Sequence, residues 1–465
     1  MARAGAHFLV ADRQAAYPAL PCVSGGFGED LWAVARPRRR SARAREYSPR
    51  CEAHQQGDSQ PLHGWGGEGV DLGANTEHAA GPNDASKLFF FFGDVTLPYD
   101  IFADAPSPLG PFTHHDPYAD PEQYPPWDGD LVAFTDAWRV ENNGFSLTAV
   151  TRHGGAGASE NGDPHIFHPF TADRLGPLVT VETPTGAFSY DGRCYVFACI
   201  GGFPSISYLT SSHRPDAPVG FRMHGEFSCM HDEITSTKFM QVAPCVVNNA
   251  EHAGLPTSAG EGVVLLGHGS HAGPDNVHLA WMPLRRGLGP DLDKRLYYAG
   301  GVPSRGVDWS PNEVDAMPLL DPPPLNGYTA VSAAWLSGPK RWILLYSLSR
   351  EITNPLGGIV ARVASDLFQW SDEIALVAPM HDHTLREKLE WQEKSGAYGA
   401  FLLNRFNVWC PTRGTMTLTY LMSTFRPYQV HVMQSQITLS GVPRLSGAWG
   451  AVRQRMRMVR WRPGG

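Results

Sequence analysis

The sequence lacks any apolar run close to the roughly 18 to 20 residues that a membrane-spanning helix requires, which predicts a soluble protein with no membrane partner. Its first residues carry an arginine and a short apolar patch, but Asp12 and Arg13 interrupt the patch before the core of a signal peptide is complete. No signal peptide is therefore expected, and the composition leaves the localisation open.

Metal-binding and cofactor motifs are also missing. The seven cysteines form no C-x-x-C pair and are odd in number, so neither a zinc site nor a complete disulfide framework is indicated. No P-loop, G-x-G-x-x-G or G-x-S-x-G is present, which argues against nucleotide cofactors and serine hydrolase chemistry. Two pairs of histidines could bind a metal but lack companion ligands of known spacing, so surface loop positions are favoured and a cation in a central funnel is left as the alternative: His165 with His168, and His268 with His271. We expect neither a cofactor nor a metal.

Charge is unevenly spread along the chain, although the net value is only −8. Residues 36–50 carry seven arginines against the single Glu46, and residues 453–465 carry five arginines and no acid. Neither end interleaves its arginines with aromatic residues on a strand or a helical stripe, and the body of the chain is acidic, so no nucleic-acid partner is expected. Solvated tails are the simpler interpretation of both ends.

Helix-length amphipathic patterns are nearly absent, except around residues 382–394. Glycine (49 residues) and proline (39 residues) are plentiful, and nineteen short apolar runs separated by turn residues follow one another between Leu88 and Gln434. Such spacing is typical of an all-β sandwich, barrel or propeller, and nineteen to twenty strands in four-stranded blades give a five-bladed β-propeller. We expect an irregular leader at 1–62, the propeller at 63–440 and a basic tail at 441–465.

Two aspartates bracket the stretch from Gly69 to Thr96. Asp71 lies in G-V-D-L-G, which reads as a glycine-flanked turn, and Asp94 follows the apolar run L-F-F-F-F, which reads as a buried strand. If the fold brings them together, one carboxyl could protonate a leaving oxygen while the other acts as base or nucleophile, as in glycoside hydrolysis. The alternative is that both are turn residues, since Asp beside Gly is common between strands.

In a propeller the innermost strand of each blade lines a central funnel, so polar residues beside these strands are candidates for substrate binding. Four residues have this position: Asp130, Glu182, Lys238 and Gln241. Each could instead be an ordinary polar group at a strand edge. The funnel would take a polysaccharide or oligosaccharide, and a monomer is expected.

Several motifs occur in an order that resembles a known family, the bacterial five-bladed propeller hydrolases that include the endo-D-arabinanases. They are G-V-D-L-G, F-F-F-G-D, T-P-T-G-A-F, K-F-M-Q-V-A-P, N-V-H-L-A-W-M-P-L and L-Y-Y-A-G-G, followed by R-W-I-L-L-Y, I-V-A-R-V-A-S-D and M-T-L-T-Y-L-M-S. The likeness spans about Gly69 to Gln436. It implies a secreted glycoside hydrolase that cleaves α-linked D-arabinofuranose in mycobacterial-type arabinan, with Asp71 and Asp94 as the catalytic pair.

Two departures from the family pattern concern the substrate. Where relatives often have E-L-S-V, this chain has Y-T-A-V from Tyr328 to Val331, and where they often have Y-G-P-Y-x-H it has Y-G-A-F-L-L from Tyr398 to Leu403. A carboxylate and a histidine are thus replaced, which favours, as an alternative, a carbohydrate-binding propeller without catalysis. A third interpretation, a sialidase-like glycosidase, rests on A-S-D-L-F-Q-W-S, which faintly resembles an Asp-box turn.

Overall fold

A computed structural model describes the chain in a series of ranges that all lie within one compact unit, Gln56–Gly465. The ranges are 69–81, 84–96, 131–140, 145–152, 165–166, 182–200, 206–217, 221–229, 237–269, 276–320, 328–348, 358–377, 397–424, 429–439, 453–458 and 460–462. The expected leader at 1–62 and the amphipathic segment at 382–394 lie outside them. Across these ranges, no helix has the length and apolar character needed to cross a bilayer.

The first two large sheets come from the first half of the chain. Sheet 1 contains β1 (Gly69–His78), β2 (Lys87–Thr96), β3 (Leu131–Thr135) and β4 (Ser146–Ala149). A short hairpin of β5 (Thr151–Arg152) and β6 (His165–Ile166) follows. Sheet 2 contains β7 (Glu182–Tyr190), β8 (Arg193–Ile200), β9 (Ile206–Ser212) and β10 (Arg222–Cys229).

Three further sheets complete the fold. Sheet 3 contains β11 (Gln241–Asn248), β12 (Glu261–His268), β13 (His278–Arg285), β14 (Gly289–Pro290), β15 (Leu296–Val302) and β16 (Gly306–Ser310). Sheet 4 contains β17 (Tyr328–Leu336), β18 (Arg341–Leu348), β19 (Gly358–Ala364) and β20 (Ile374–Val377). Sheet 5 contains β21 (Ala397–Leu402), β22 (Val408–Cys410), β23 (Thr415–Thr424), β24 (Gln429–Thr438) and β25 (Arg453–Met458), and a last strand, β26 (Arg460–Arg462), joins sheet 1.

The first strands of the five sheets form a closed ring. β1 contacts β7, β7 contacts β11, β11 contacts β17, β17 contacts β21, and β21 contacts β1 again. Each sheet then extends outward from its inner strand through antiparallel neighbours. The prediction of an all-β, five-bladed propeller is therefore confirmed.

The run of four phenylalanines in β2 shows why continuous apolar sequences form strands here. A blade packs against a neighbouring blade on each face, so both sets of alternating side chains are buried. Phe90 stacks on Phe92 with ring centroids 5.9 Å apart, whereas Phe91 meets Phe221 beside the second sheet edge-on at 5.7 Å. All four phenylalanines are at most 2% exposed.

Close approach of the inner strands requires a glycine in β7. A Cβ atom on Gly186 would lie only 2.0 Å from the carbonyl oxygen of Val242 in β11. Because no side chain fits between the two backbones, the glycine of T-P-T-G-A-F marks a position of close strand contact.

The basic segment 441–465, expected to be a tail, contributes two strands. β25 pairs with β24 at the outside of sheet 5, and β26 runs parallel to β4 at the outside of sheet 1. An outermost strand pairs on one side only and needs few apolar residues. The arginine-rich sequences of β25 and β26 therefore show no strand pattern. The last strand therefore links the fifth sheet to the first.

Arg405 makes a second link between these two sheets. It follows β21, and its side chain is fully buried. Nη1 donates to the carbonyl oxygens of Thr135 and Ala137 (both 3.4 Å), and Nη2 donates to the carbonyl oxygen of Ser86 (3.0 Å). Glu77 in β1 balances the charge, since its Oε2 accepts from Nη2 at 3.3 Å and its Oε1 lies 3.3 Å from Nε without hydrogen-bond geometry.

We expect Arg405→Met to lower the free energy of unfolding by roughly 2 to 4 kcal/mol, because three carbonyl oxygens and one carboxylate lose a donor whose side chain is buried. Urea unfolding of the variant and the wild type measures the difference. Arg286→Met, at an exposed arginine, is the matched control and should change stability by no more than about 0.5 kcal/mol. Equal stability of the two variants would contradict the role given to Arg405.

Candidate functional site

The ring of inner strands surrounds a channel, and the direction of these strands distinguishes its two ends. The middle and second halves of β1, β7, β11, β17 and β21, or the residues just after them, surround one cavity. The first residues of all five strands therefore gather at one end of the channel, which we call the entrance end, and we call the opposite end the exit end. The cavity extends from the middle of the channel toward the exit end.

Asp71 and Asp94 come together at the entrance end through the ladder between β1 and β2. Asp71 is the ladder partner of Gly93, so Asp94 is the next residue along the facing strand. The expectation of a turn at Asp71 is wrong: the residue lies within β1, beside register shifts that flank it on both sides. A bulged strand has the same glycine-rich sequence as a turn, because its extra residue also needs unusual backbone angles.

The start of β7 lies against the same point. A Cβ atom on Gly93 would be 3.2 Å from both Thr183 Cγ2 and Pro184 Cδ. Glu182, the first residue of β7, directly precedes this contact. The backbone thus places three carboxylate-bearing positions on neighbouring segments: Asp71, Asp94 and Glu182.

Bulges recur near the start of the inner strands. β1 shifts register between Asp71 and Ala74, and three other inner strands shift within their first five residues: β7, β17 and β21. Ala330 in β17 and Gly399 in β21 have positive φ angles of 44° and 62° at these points. Bulges re-aim side chains and are frequent beside functional sites, so this repeated feature marks the entrance end independently of the aspartates.

Lys238 and Gln241 flank the start of β11, as expected. The ammonium of Lys238 donates to the carbonyl oxygens of Val314 (2.9 Å) and Ala316 (2.7 Å). These two bonds tie Lys238 to a short 3-10 turn. Gln241 is 2% exposed, and its Nε2 lies 3.9 Å from Cys199 Sγ. Asp130 lies outside the described residues. Leu131 after it begins β3, opposite Phe92, and β3 is the third strand of sheet 1, so the expectation that this run forms an innermost strand is wrong.

Glu313 is a structural carboxylate that the sequence analysis missed. Its Oε1 accepts hydrogen bonds from the backbone N–H of Lys238 and from Ser228 Oγ, both at 2.7 Å. Burial raises the pKa of the Glu313 carboxyl above its usual value, although these bonds and the charge of Arg295 oppose the rise. The sequence around Glu313, W-S-P-N-E-V-D, resembles an ordinary polar turn. Only the fold shows that Glu313 holds the segment that leads into β11.

The two segments in which the sequence departs from the motifs it resembles lie on inner strands. Y-T-A-V opens β17 at Tyr328, at the entrance end. Y-G-A-F-L-L runs from the second residue of β21 to one residue past its end, so Leu403 lies toward the exit end, and Tyr398 and Leu402 are at most 3% exposed. In the described part of the chain, no three His, Cys, Asp or Glu side chains are grouped to hold a metal ion.

No family model and no curated protein matches the chain. Among solved structures, similar chains include three arabinanases. The α-L-arabinanase of Cellvibrio cellulosa complexed with arabinohexaose has 11% identity and a TM-score of 0.41, and the match covers 79% of this chain and 92% of that one. The endo-1,5-α-L-arabinanase of Thermotoga petrophila has 11% identity and a TM-score of 0.40, covering 79% of this chain and 72% of that one. An exo-1,5-α-L-arabinanase from a bovine ruminal metagenomic library has 10% identity and a TM-score of 0.39, covering 83% of this chain and 100% of that one. At these values the likeness decides nothing about activity, and the fold rests on the sheet topology itself.

The raised pKa of Glu313 predicts a pH-dependent difference between the wild type and Glu313→Gln. A group whose pKa is higher in the folded state stabilises the fold at low pH, and this contribution is lost as the pH rises through that pKa. Glutamine keeps the accepting oxygen and does not titrate. The stability of Glu313→Gln relative to the wild type should therefore increase between about pH 4 and about pH 7, measured by urea unfolding.

Glu313→Ala is the matched comparison. It removes the acceptor for Lys238 and Ser228 and should cost about 2 kcal/mol at every pH relative to Glu313→Gln. A difference between wild type and Glu313→Gln that stays constant with pH would contradict the assignment.

Proposed function

We propose that the protein is a glycoside hydrolase acting at the entrance end of the propeller on a furanose-containing polysaccharide. Asp71 and Asp94 share the roles of general acid and of base or nucleophile. The observation that carries the proposal is the ladder register, in which Asp71 faces Gly93 and Asp94 follows it. Glycosidic bond cleavage requires two carboxyl groups on either side of the scissile bond. In a regular ladder Asp71 and Asp94 would point to opposite faces, because successive side chains of a strand alternate. The register shifts on both sides of Asp71 break this alternation and allow the two carboxyls to approach each other.

The remaining candidates are assigned positioning roles. Glu182 precedes the contact between β7 and Gly93, and Gln241 begins β11, so both lie on inner strands that open at the same end. Lys238 acts indirectly, because its ammonium is held by two backbone carbonyls. Asp130 belongs to this set by its place in the sequence, next to β3.

The substrate we propose is an α-D-arabinofuranosyl chain of the mycobacterial arabinan type. Support comes from the ordered motifs between Gly69 and Gln436, which resemble the propeller hydrolases that include endo-D-arabinanases. Tyr328 and Leu403 stand where those relatives often carry a carboxylate and a histidine. Since a lost hydrogen-bonding group changes which sugar hydroxyls are recognised, linkage preference should differ from that of the relatives.

Incubation with mycobacterial arabinogalactan, followed by chromatography of released oligosaccharides, tests the proposal. The wild type should release products, whereas Asp71→Asn and Asp94→Asn should each be at least about 100-fold slower, as expected for loss of a general acid or base. Asp308→Asn, at an exposed aspartate on the outer strand β16, is the matched control and should retain full activity.

The outcomes separate the alternatives. Release by wild type and Asp308→Asn alone would support the paired aspartates. Binding of arabinan without release by any protein would favour the carbohydrate-binding propeller. Equal activity of all four proteins would refute the assignment of Asp71 and Asp94.

A further inference from the structure

The cavity toward the exit end is separate from the proposed reaction. It has a volume of about 380 Å³ and is surrounded by the middle and second halves of the inner strands and the residues after them. Small side chains leave this space open midway along the channel, at Ala187, Ala243 and Ala333, which are 4 to 8% exposed. Small-molecule sites occupy roughly 300 to 1,000 Å³, so the cavity has the capacity for a ligand of one or two sugar rings.

A fixed carboxylate lines this cavity. Glu77 is held by Arg405, whose side chain is fully buried, while the Glu77 side chain remains 40% exposed. The guanidinium contacts each carboxylate oxygen from one side, at 3.3 Å in both cases. A carboxylate oxygen has more than one accepting position, so Glu77 can still accept hydrogen bonds from a ligand. Because the pair is neutral overall, it favours a neutral ligand over an ion.

Hydroxyl and amide groups add donors to the same wall. Ser332 Oγ accepts a hydrogen bond from the backbone N–H of Leu402 (2.9 Å), which leaves its own O–H proton to be donated. Asn404 is exposed, and its Oδ1 accepts from Asn407 at 3.2 Å, which leaves its amide N–H groups for a ligand. The lining thus contains both donors and acceptors, as a polyhydroxylated ligand requires.

The indole ring of Trp335 also lines the cavity. Trp335 in β17 is held edge-on against His252, with ring centroids 4.8 Å apart, and against Trp342 at 5.5 Å. Its ring offers an apolar surface beside the polar groups. A purely apolar ligand would strip water from Glu77, Ser332 and Asn404 without replacing their hydrogen bonds, so the lining disfavours it.

We propose that the exit-end cavity is a second carbohydrate site, which binds a neutral mono- or disaccharide independently of the entrance end. Glu77 and Ser332 hydrogen-bond the sugar hydroxyls, Asn404 donates to them, and Trp335 covers the apolar face of the ring. The proposal does not depend on hydrolysis, because it rests on Glu77, Ser332, Trp335 and Asn404 and on none of the residues assigned to the reaction.

Isothermal titration of the wild type with D-arabinose, D-galactose and cellobiose tests the proposal. We expect saturable 1:1 binding of at least one sugar. Trp335→Phe and Asn404→Ala should each weaken it about tenfold, as expected for loss of one good contact. Asn404→Ala changes an exposed residue, so it keeps the test valid if Trp335→Phe impairs folding.

Two further variants distinguish this site from the entrance end. Asn312→Ala removes an exposed amide on the outer part of sheet 3, and Asp94→Asn alters the entrance end. Both should bind the sugar as tightly as the wild type. No saturable binding of any of the three sugars would overturn the proposal, and so would binding that is lost in Asp94→Asn but retained in Asn404→Ala.

Discussion

The contact between Arg405 and the first sheet is the interaction on which both ends of the propeller depend. Five inner strands line a channel only if the fifth sheet meets the first, and here a buried guanidinium joins them through Glu77 and the carbonyl oxygens of Ser86, Thr135 and Ala137. Phe145 and Phe406, 5.1 Å apart, extend the same junction into the apolar core. The parallel pairing of β26 with β4 adds a backbone link at the outside.

The closed ring gives the channel two chemically different ends. At the entrance end, bulged strands bring together positions that carry carboxylates, with Gly93 packed against the start of β7. Farther along the channel, alanines leave space, and the carboxylate of Glu77 is neutralised by Arg405. Our two proposals follow this difference, with proton transfer assigned to the entrance end and binding of a neutral sugar to the cavity.

The sequence predicted the number of blades and the strands with continuous apolar runs, because burial on both faces leaves a clear pattern, as in Phe89 to Phe92. Prediction from the sequence failed where a residue's partner is distant in the chain, or where two kinds of local structure have the same composition. The bulge at Asp71 resembles a turn, and the arginine-rich strand β25 resembles a tail. Arg405 and Glu313 escaped notice because their partners lie far away in the chain, at Glu77 and Ser228.

The central claim is that Asp71 and Asp94 form one catalytic pair at the entrance end. The most direct test is a crystal structure of Asp94→Asn with an arabinofuranosyl oligosaccharide bound. The account predicts a glycosidic oxygen between the two side chains, with their terminal carbons separated by about 5 to 9.5 Å, the range that retaining and inverting glycosidases span. A separation well beyond that range, or a sugar chain bound away from these residues, would contradict it.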